Sequence, residues 1–170
     1  MRLTGGTFKN RALKSPKGEA TRPTSEKLRQ AVFNILQNRI EGSSFLDLFA
    51  GSGAMGLEAL SRGAAKATFV ENHPEALKAL YANIAILELK EVSQVISHNA
   101  HKILPKLGSF DIIYVDPPYG ADIDGLASLL NPGGILLYES NHKVQLSGLN
   151  LDEIRSYGDT YLHFFNRDIS

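Results

Sequence analysis

Cysteine and tryptophan are absent from the 170-residue chain, so disulfides and thiolate metal sites are excluded. No apolar run approaches the roughly 18 residues that a membrane-spanning helix needs. The segment Met1 to Asn10 is polar and lacks the apolar stretch of a secretory signal. These absences make the cytoplasm the default, with no membrane partner. Internal repeats, low-complexity tracts and composition breaks are missing too. One domain is expected over 1–170, long enough to bury about 70% of the surface its unfolded form exposes. With 43% hydrophobic and 21% charged residues, the composition is that of an ordinary soluble globular protein.

Net charge is also lacking, because 18 Lys and Arg balance 18 Asp and Glu. The balance conceals a segregation. Residues 1–30 hold eight basic side chains (Arg2, Lys9, Arg11, Lys14, Lys17, Arg22, Lys27 and Arg29) against Glu19 and Glu26, a net of +6, leaving −6 for the rest. A basic arm over 1–23, ahead of a core over 24–170, suggests a polyanionic partner met at one end. The bland alternative is a solvated surface.

Arg2–Thr4 and Arg11–Lys14 look like short strands around Gly5-Gly6, forming a basic hairpin. Thr24 is placed to cap a helix running to about Arg39, with Leu28, Ala31, Val32, Ile35 and Leu36 on one face. From position 44 strand-like runs alternate with helical patterns. The strands are expected at Phe45–Phe49, Ala67–Val70, Val95–Ser97, Ile112–Val115 and Ile135–Tyr138. The helices fall at about 54–62, 74–88, 101–107 and 123–130, and the second of them buries Leu77, Leu80, Tyr81, Ile84 and Leu87. Leu149–Ile154 and Thr160–Phe165 flank Tyr157-Gly158-Asp159 as an antiparallel hairpin. The expected fold is α/β: a mostly parallel, Rossmann-like sheet with an antiparallel C-terminal edge and helices on both faces.

Two runs at strand ends carry chemistry. The first is Asp47-Leu48-Phe49-Ala50-Gly51-Ser52-Gly53, at the carboxyl end of a strand, where open α/β sheets bind ligands. Gly51, Gly53 and Gly56 also spell a dinucleotide fingerprint, and Glu71, 20 residues past Gly51, suits ribose hydroxyls under either reading. Asp47 separates the two. A carboxylate there repels a pyrophosphate and attracts the ammonium and sulfonium of S-adenosylmethionine. Asn99-Ala100 follows the third strand, where an amide could meet the adenine edge; otherwise Asn99 is a simple turn residue.

The second run, Asp116-Pro117-Pro118-Tyr119, starts 69 positions after Asp47. An exocyclic amine on a base is a poor nucleophile, because its lone pair is delocalised into the ring. The Asp116 carboxylate and the Pro117 carbonyl supply acceptors for its two N–H groups, which favours a pyramidal nitrogen. The prolines fix φ and bring no competing N–H, and Tyr119 offers a face for stacking. The chemistry read from the two runs is methyl transfer to a base nitrogen, and it calls for no metal. His98 and His101 imitate ligand spacing without an acidic or thiol partner. His73, His142 and His163 are most simply surface or loop residues.

At these residues the chain resembles the bacterial RsmD family, the methyltransferases of guanine N2 in 16S ribosomal RNA. The resemblance covers roughly 1–166. It includes Gly18 to Ser25, Phe33-Asn34-Ile35-Leu36, Leu46 to Gly53, Gly56 to Gly63, Phe69-Val70-Glu71 and Tyr157-Gly158-Asp159-Thr160. It implies a class I methyltransferase fold with a seven-stranded sheet. By the same resemblance, Asp47, Phe49, Gly51, Ser52, Gly53, Glu71, Asn72, Asn99 and Ala100 bind S-adenosylmethionine, and Thr24 and Ser25 help close that site. Asp116, Pro117, Pro118 and Tyr119 hold the guanine. Arg2, Lys9, Arg11, Lys14 and Arg22 face the phosphates of 16S ribosomal RNA in a 30S-type particle, met by a monomer. The chain departs from the family pattern with His98-Asn99-Ala100 in place of Gly-Asp-Ala, and with a short stretch between Tyr119 and Asn131. The alternatives are an adenine-N6 DNA methyltransferase and a non-catalytic RNA-binding assembly factor on the same fold.

Overall fold

A computed structural model describes residues 1–17 and 25–169. Helix α1 (Glu26–Leu36) leads into β1 (Ser44–Leu48), α2 (Ala54–Ser61), β2 (Lys66–Glu71), α3 (Pro74–Ile86), β3 (Ser93–Ser97), α4 (Ala100–Ile103), β4 (Phe110–Val115), β5 (Leu130–Ser140), β6 (Asn150–Tyr157) and β7 (Thr160–Asn166). The seven strands form one sheet in the order β3-β2-β1-β4-β5-β7-β6. The first five pair in parallel, and β7 runs antiparallel to both β5 and β6. The expected architecture is the one observed.

Alternation along β1 explains the two-sided core, since successive side chains of a strand point to opposite faces. Phe45 joins a cluster with Val32, Phe33, Leu57 and Leu80 from α1, α2 and α3. Its neighbours Leu46 and Leu48 join the opposite cluster with Ala100, Leu104, Leu126 and Leu146. That second face is covered by short pieces. Where helices were expected at 101–107 and 123–130, α4 is one turn followed by a 3-10 turn, Leu104–Lys106, and the β4–β5 connection holds only the 3-10 turn Ala127–Leu129. Pro105 and the brevity of the 119–131 stretch account for this, because neither leaves room for several α-helical turns.

Other boundaries moved for identifiable reasons. Ser25, not Thr24, caps α1: its hydroxyl accepts a hydrogen bond from Leu28 N at 3.0 Å. Thr24 itself lies outside the described residues, as do Arg22 and most of the Gly18–Ser25 segment. The helix ends at Leu36 rather than Arg39, and its buried face includes Arg29 and Phe33. On α3, Tyr81 is exposed and Asn83 takes a buried place. The N-terminal hairpin forms no regular strands; Arg2 and Ala12 make an isolated antiparallel bridge. His163 is not a surface residue. It is fully buried on β7, with Nε2 accepting from Val144 N, so Nδ1 carries the proton toward the Tyr138 carbonyl. Burial lowers its pKa, since the charged imidazolium loses solvation there.

Leu3 and Leu13 are buried in the cluster that α1, α2 and α3 share, so the basic segment is docked rather than loose. Glu58 of α2 accepts from Thr4 N and Gly5 N, and pairs with Arg29 and Arg62 at 2.9 Å each. Arg29 also donates to the Arg2 carbonyl. Both Arg29 and Glu58 are 0% exposed. Gly5-Gly6 serves this docking as well as the turn: a side chain on Gly6 would collide with the Ser61 carbonyl at 1.9 Å. Arg29 therefore leaves the set of solvent-facing charges, while Arg2, Lys9, Arg11 and Lys14 remain exposed.

Candidate active site

The strand order reverses direction between β1 and β4, and at such a switch point a crevice opens beyond the carboxyl ends. Leu48 and Val115 are register partners, and Asp116 N donates to the Leu48 carbonyl at 3.5 Å. The glycine turn after β1 and the Asp116 to Tyr119 segment after β4 thus leave the sheet side by side. Sixty-nine residues of separation collapse to neighbouring strand ends.

The turn departs from β1 one residue earlier than the apolar pattern implies. Phe49 has φ +64°, a conformation uncommon for a bulky side chain, and its ring packs on the second core cluster. Gly51 at φ +58° faces open space, as a backbone approached by a ligand must. Gly53 and Gly56 are glycine for another reason. A side chain on Gly53 would meet Leu80 Cδ1 at 2.4 Å, and one on Gly56 would meet Phe69 Cε1 at 2.3 Å, so both allow α2 to lie tightly on β2 and α3.

Asp47 is 2% exposed, and its Oδ2 accepts from Gly56 N at 2.9 Å, tying the strand end to the first turn of α2. Burial pushes its pKa well above the usual carboxylate range. The Gly56 bond works against that rise, and repulsion from Asp116 and Glu71 adds to it. Three carboxylates therefore converge on the crevice. Glu71 holds the turn from the next strand: Oε1 accepts from Gly51 N at 2.7 Å, and Oε2 accepts from Asn72 N and His73 N. Such a concentration of negative potential suits a cationic ligand and opposes a pyrophosphate. S-adenosylmethionine, with its ammonium and sulfonium, fits the site; the dinucleotide reading does not.

At the third strand, the Asn99 side-chain oxygen Oδ1 caps α4 by accepting from Lys102 N at 3.1 Å, and Ala100 is buried as the first helical residue. Ser25 is likewise engaged as a cap. The structure brings Asp47, Phe49, Gly51, Ser52, Gly53, Glu71 and Asp116 to one crevice, whereas Arg2, Lys9, Arg11 and Lys14 belong to the arm docked on α2 and α3.

Asp116, Pro117, Pro118 and Tyr119 line a cleft together with Asp122 and with Glu139, Ser140 and His142 at and just past the end of β5. Tyr119 is 66% exposed at the rim. The Tyr114 hydroxyl donates to Glu139, which fixes that carboxylate. His142 Nε2 lies 2.6 Å from Asp122 Oδ2, and Ser147 donates from both N and Oγ to Asp124. These two ties join the β4–β5 loop to the loop that follows β5. Glu139, Asp122 and His142 were missed from the sequence. The polar run Glu139-Ser140-Asn141-His142 after the apolar Ile135–Tyr138 was the available signal, because it repeats the pattern of strand end followed by polar residues.

Residues 1–166 match the family described as Conserved hypothetical protein 95. Ribosomal RNA small subunit methyltransferase D of Escherichia coli (strain K12) is 37% identical over 142 residues, covering 82% of this chain and 71% of that protein. YlbH of Bacillus subtilis (strain 168) is 34% identical over 172 residues, covering 95% of this chain and 94% of that protein. The solved structure of Escherichia coli yhhF superposes with a TM-score of 0.87 at 31% identity, covering 100% of this chain and 99% of that one.

Proposed function

The chain belongs to the RsmD-type family of ribosomal RNA methyltransferases, and from that premise we propose that it methylates the exocyclic N2 of a guanine in 16S ribosomal RNA. S-adenosylmethionine is the methyl donor. The observation that carries the reading is the adjacency of the two strand-end loops, which gives donor and acceptor one crevice. When bound, the cofactor supplies a methyl group on a sulfonium, a good leaving group.

The protein's own part is orientation and electrostatics. Glu71 and the backbone around Gly51 receive the nucleoside end, and the carboxylates Asp47 and Glu71 favour the cationic end. Asp47 acts from beneath, holding the turn in shape through Gly56. On the acceptor side, Asp116 and the Pro117 carbonyl take the two N–H groups of the amine, so its lone pair points away from the base plane. Tyr119 stacks on the base, a contact worth about 1–3 kcal/mol. Holding the reactants in that geometry supplies much of the rate, with no metal required.

The substrate is a 30S-type particle, met by a monomer in the cytoplasm through Arg2, Lys9, Arg11 and Lys14. Mass mapping of nucleosides in ribosomal RNA, from cells with and without this protein, tests the assignment. One N2-methylguanosine of 16S RNA is expected to disappear. Loss of N6-methyladenine from DNA instead would replace the guanine reading. For the arm, charge reversal at Arg11 and Lys14 is expected to flatten the salt dependence of particle binding, by roughly 0.7–0.9 log units per lost phosphate contact. An unaltered slope returns these residues to a solvated surface.

A further inference from the structure

We infer that Asn83 is a positioning residue that couples the basic arm to the cofactor turn, so that RNA docking and methyl-donor binding strengthen one another. Asn83 lies within α3 and is 1% exposed. Its amide oxygen accepts from Lys14 N at 2.7 Å. Its amide nitrogen donates to the Lys14 carbonyl and to the Ser52 carbonyl, each at 3.0 Å. A single buried amide thus clamps two segments 38 positions apart, and neither belongs to its own helix.

Both ends of that clamp matter. Lys14 presents its side chain to solvent in the arm, and Ser52 sits between Gly51 and Gly53, both at positive φ. Glycines leave a turn pliable, so a hold on the intervening carbonyl restrains its shape. Two bonds to Lys14 would anchor the arm without the third. The bond to Ser52 carries the restraint onward to the ligand site. Glu58 supplies a parallel connection, because it binds Thr4 and Gly5 of the arm from the helix that Gly53 starts. A restraint that RNA places on the docked arm is passed through these bonds to the turn, and by linkage the effect is equal in the other direction.

The inference rests on the proposed role of the arm in RNA binding. Its test uses S-adenosylhomocysteine, which prevents turnover, titrated by calorimetry with and without saturating small-subunit particles from cells lacking the protein. Three proteins are compared: wild type, Asn83→Asp, which keeps an acceptor for Lys14 N but loses the donor to both the Lys14 and Ser52 carbonyls, and Asn83→Leu, which loses all three bonds. The wild type is expected to bind about fivefold more tightly in the presence of particles, the low end of usual coupling. In both variants that ratio falls below the wild-type value, to the part that Glu58 alone carries. A ratio of affinities is insensitive to a general loss of stability, and Asn83→Asp decides the matter should Asn83→Leu not fold. A wild-type ratio retained by the variants overturns the inference. So does a ratio of one in a wild type that still methylates particles, which leaves the methyltransferase reading intact. Absence of both methylation and particle binding in the wild type removes the two together.

Discussion

Asp116→Ala is expected to lower single-turnover methylation by about 10³-fold, the scale on which removing one preorganised polar group from a reacting centre acts. S-adenosylhomocysteine affinity is expected to change little, because the turn that receives the cofactor is held from elsewhere. Glu71 holds Gly51, and Asp47 holds Gly56, through hydrogen bonds that do not involve Asp116. Loss of turnover with binding retained separates orientation of the amine from capture of the donor. Asp116→Asn keeps one carbonyl acceptor at the same place and is expected to fall between the wild type and Ala. Normal turnover in Asp116→Ala removes this carboxylate from the chemistry altogether.

Glu58→Ala is expected to cost about 3–5 kcal/mol of stability, the range for removing one partner of a buried ion pair. The cause is what remains: the fully buried Arg29 guanidinium keeps its charge and loses its carboxylate, while Thr4 N and Gly5 N lose their acceptor. Urea unfolding measures the loss, and a midpoint shift equivalent to less than about 1 kcal/mol, as for an exposed pair, contradicts the buried assignment. Replacing Arg29 and Glu58 together, as Arg29→Met and Glu58→Leu, is expected to recover part of the loss. Recovery stays incomplete, because the arm's two amides still lack a partner.

Legibility in the sequence followed the range of the forces involved. The parallel strands were readable because buried strands appear as short apolar runs, and Asp47 and Asp116 were readable because each interrupts such a run at its end. The adjacency of β1 and β4 is written in neither run and emerges only from the sheet order. Harder to see were residues whose role depends on a partner far away. Arg29 counts as one more basic charge until Glu58, 29 positions on, is placed beside it. Asn83 looks like a polar interruption in an apolar helix until Lys14 and Ser52 reach it from two sides. His163 passes for a loop residue until Val144 N and the Tyr138 carbonyl use both ring nitrogens. Short connections misled for a local reason: the apolar residues Ile123, Leu126 and Leu129 are buried as a helix's would be, but cover the sheet in a path whose one regular piece is the 3-10 turn Ala127–Leu129.

The cross-ties Asp122–His142 and Asp124–Ser147 bear on how this entrance could change its target. A rim stitched at two points acts as one unit, so on the proposed reading an arriving nucleotide meets a shape already set and spends little of its attraction on assembling it. Retuning selectivity then demands concerted edits in both loops, and an isolated swap on either side is expected to loosen the grip on the original base before it creates a grip on another.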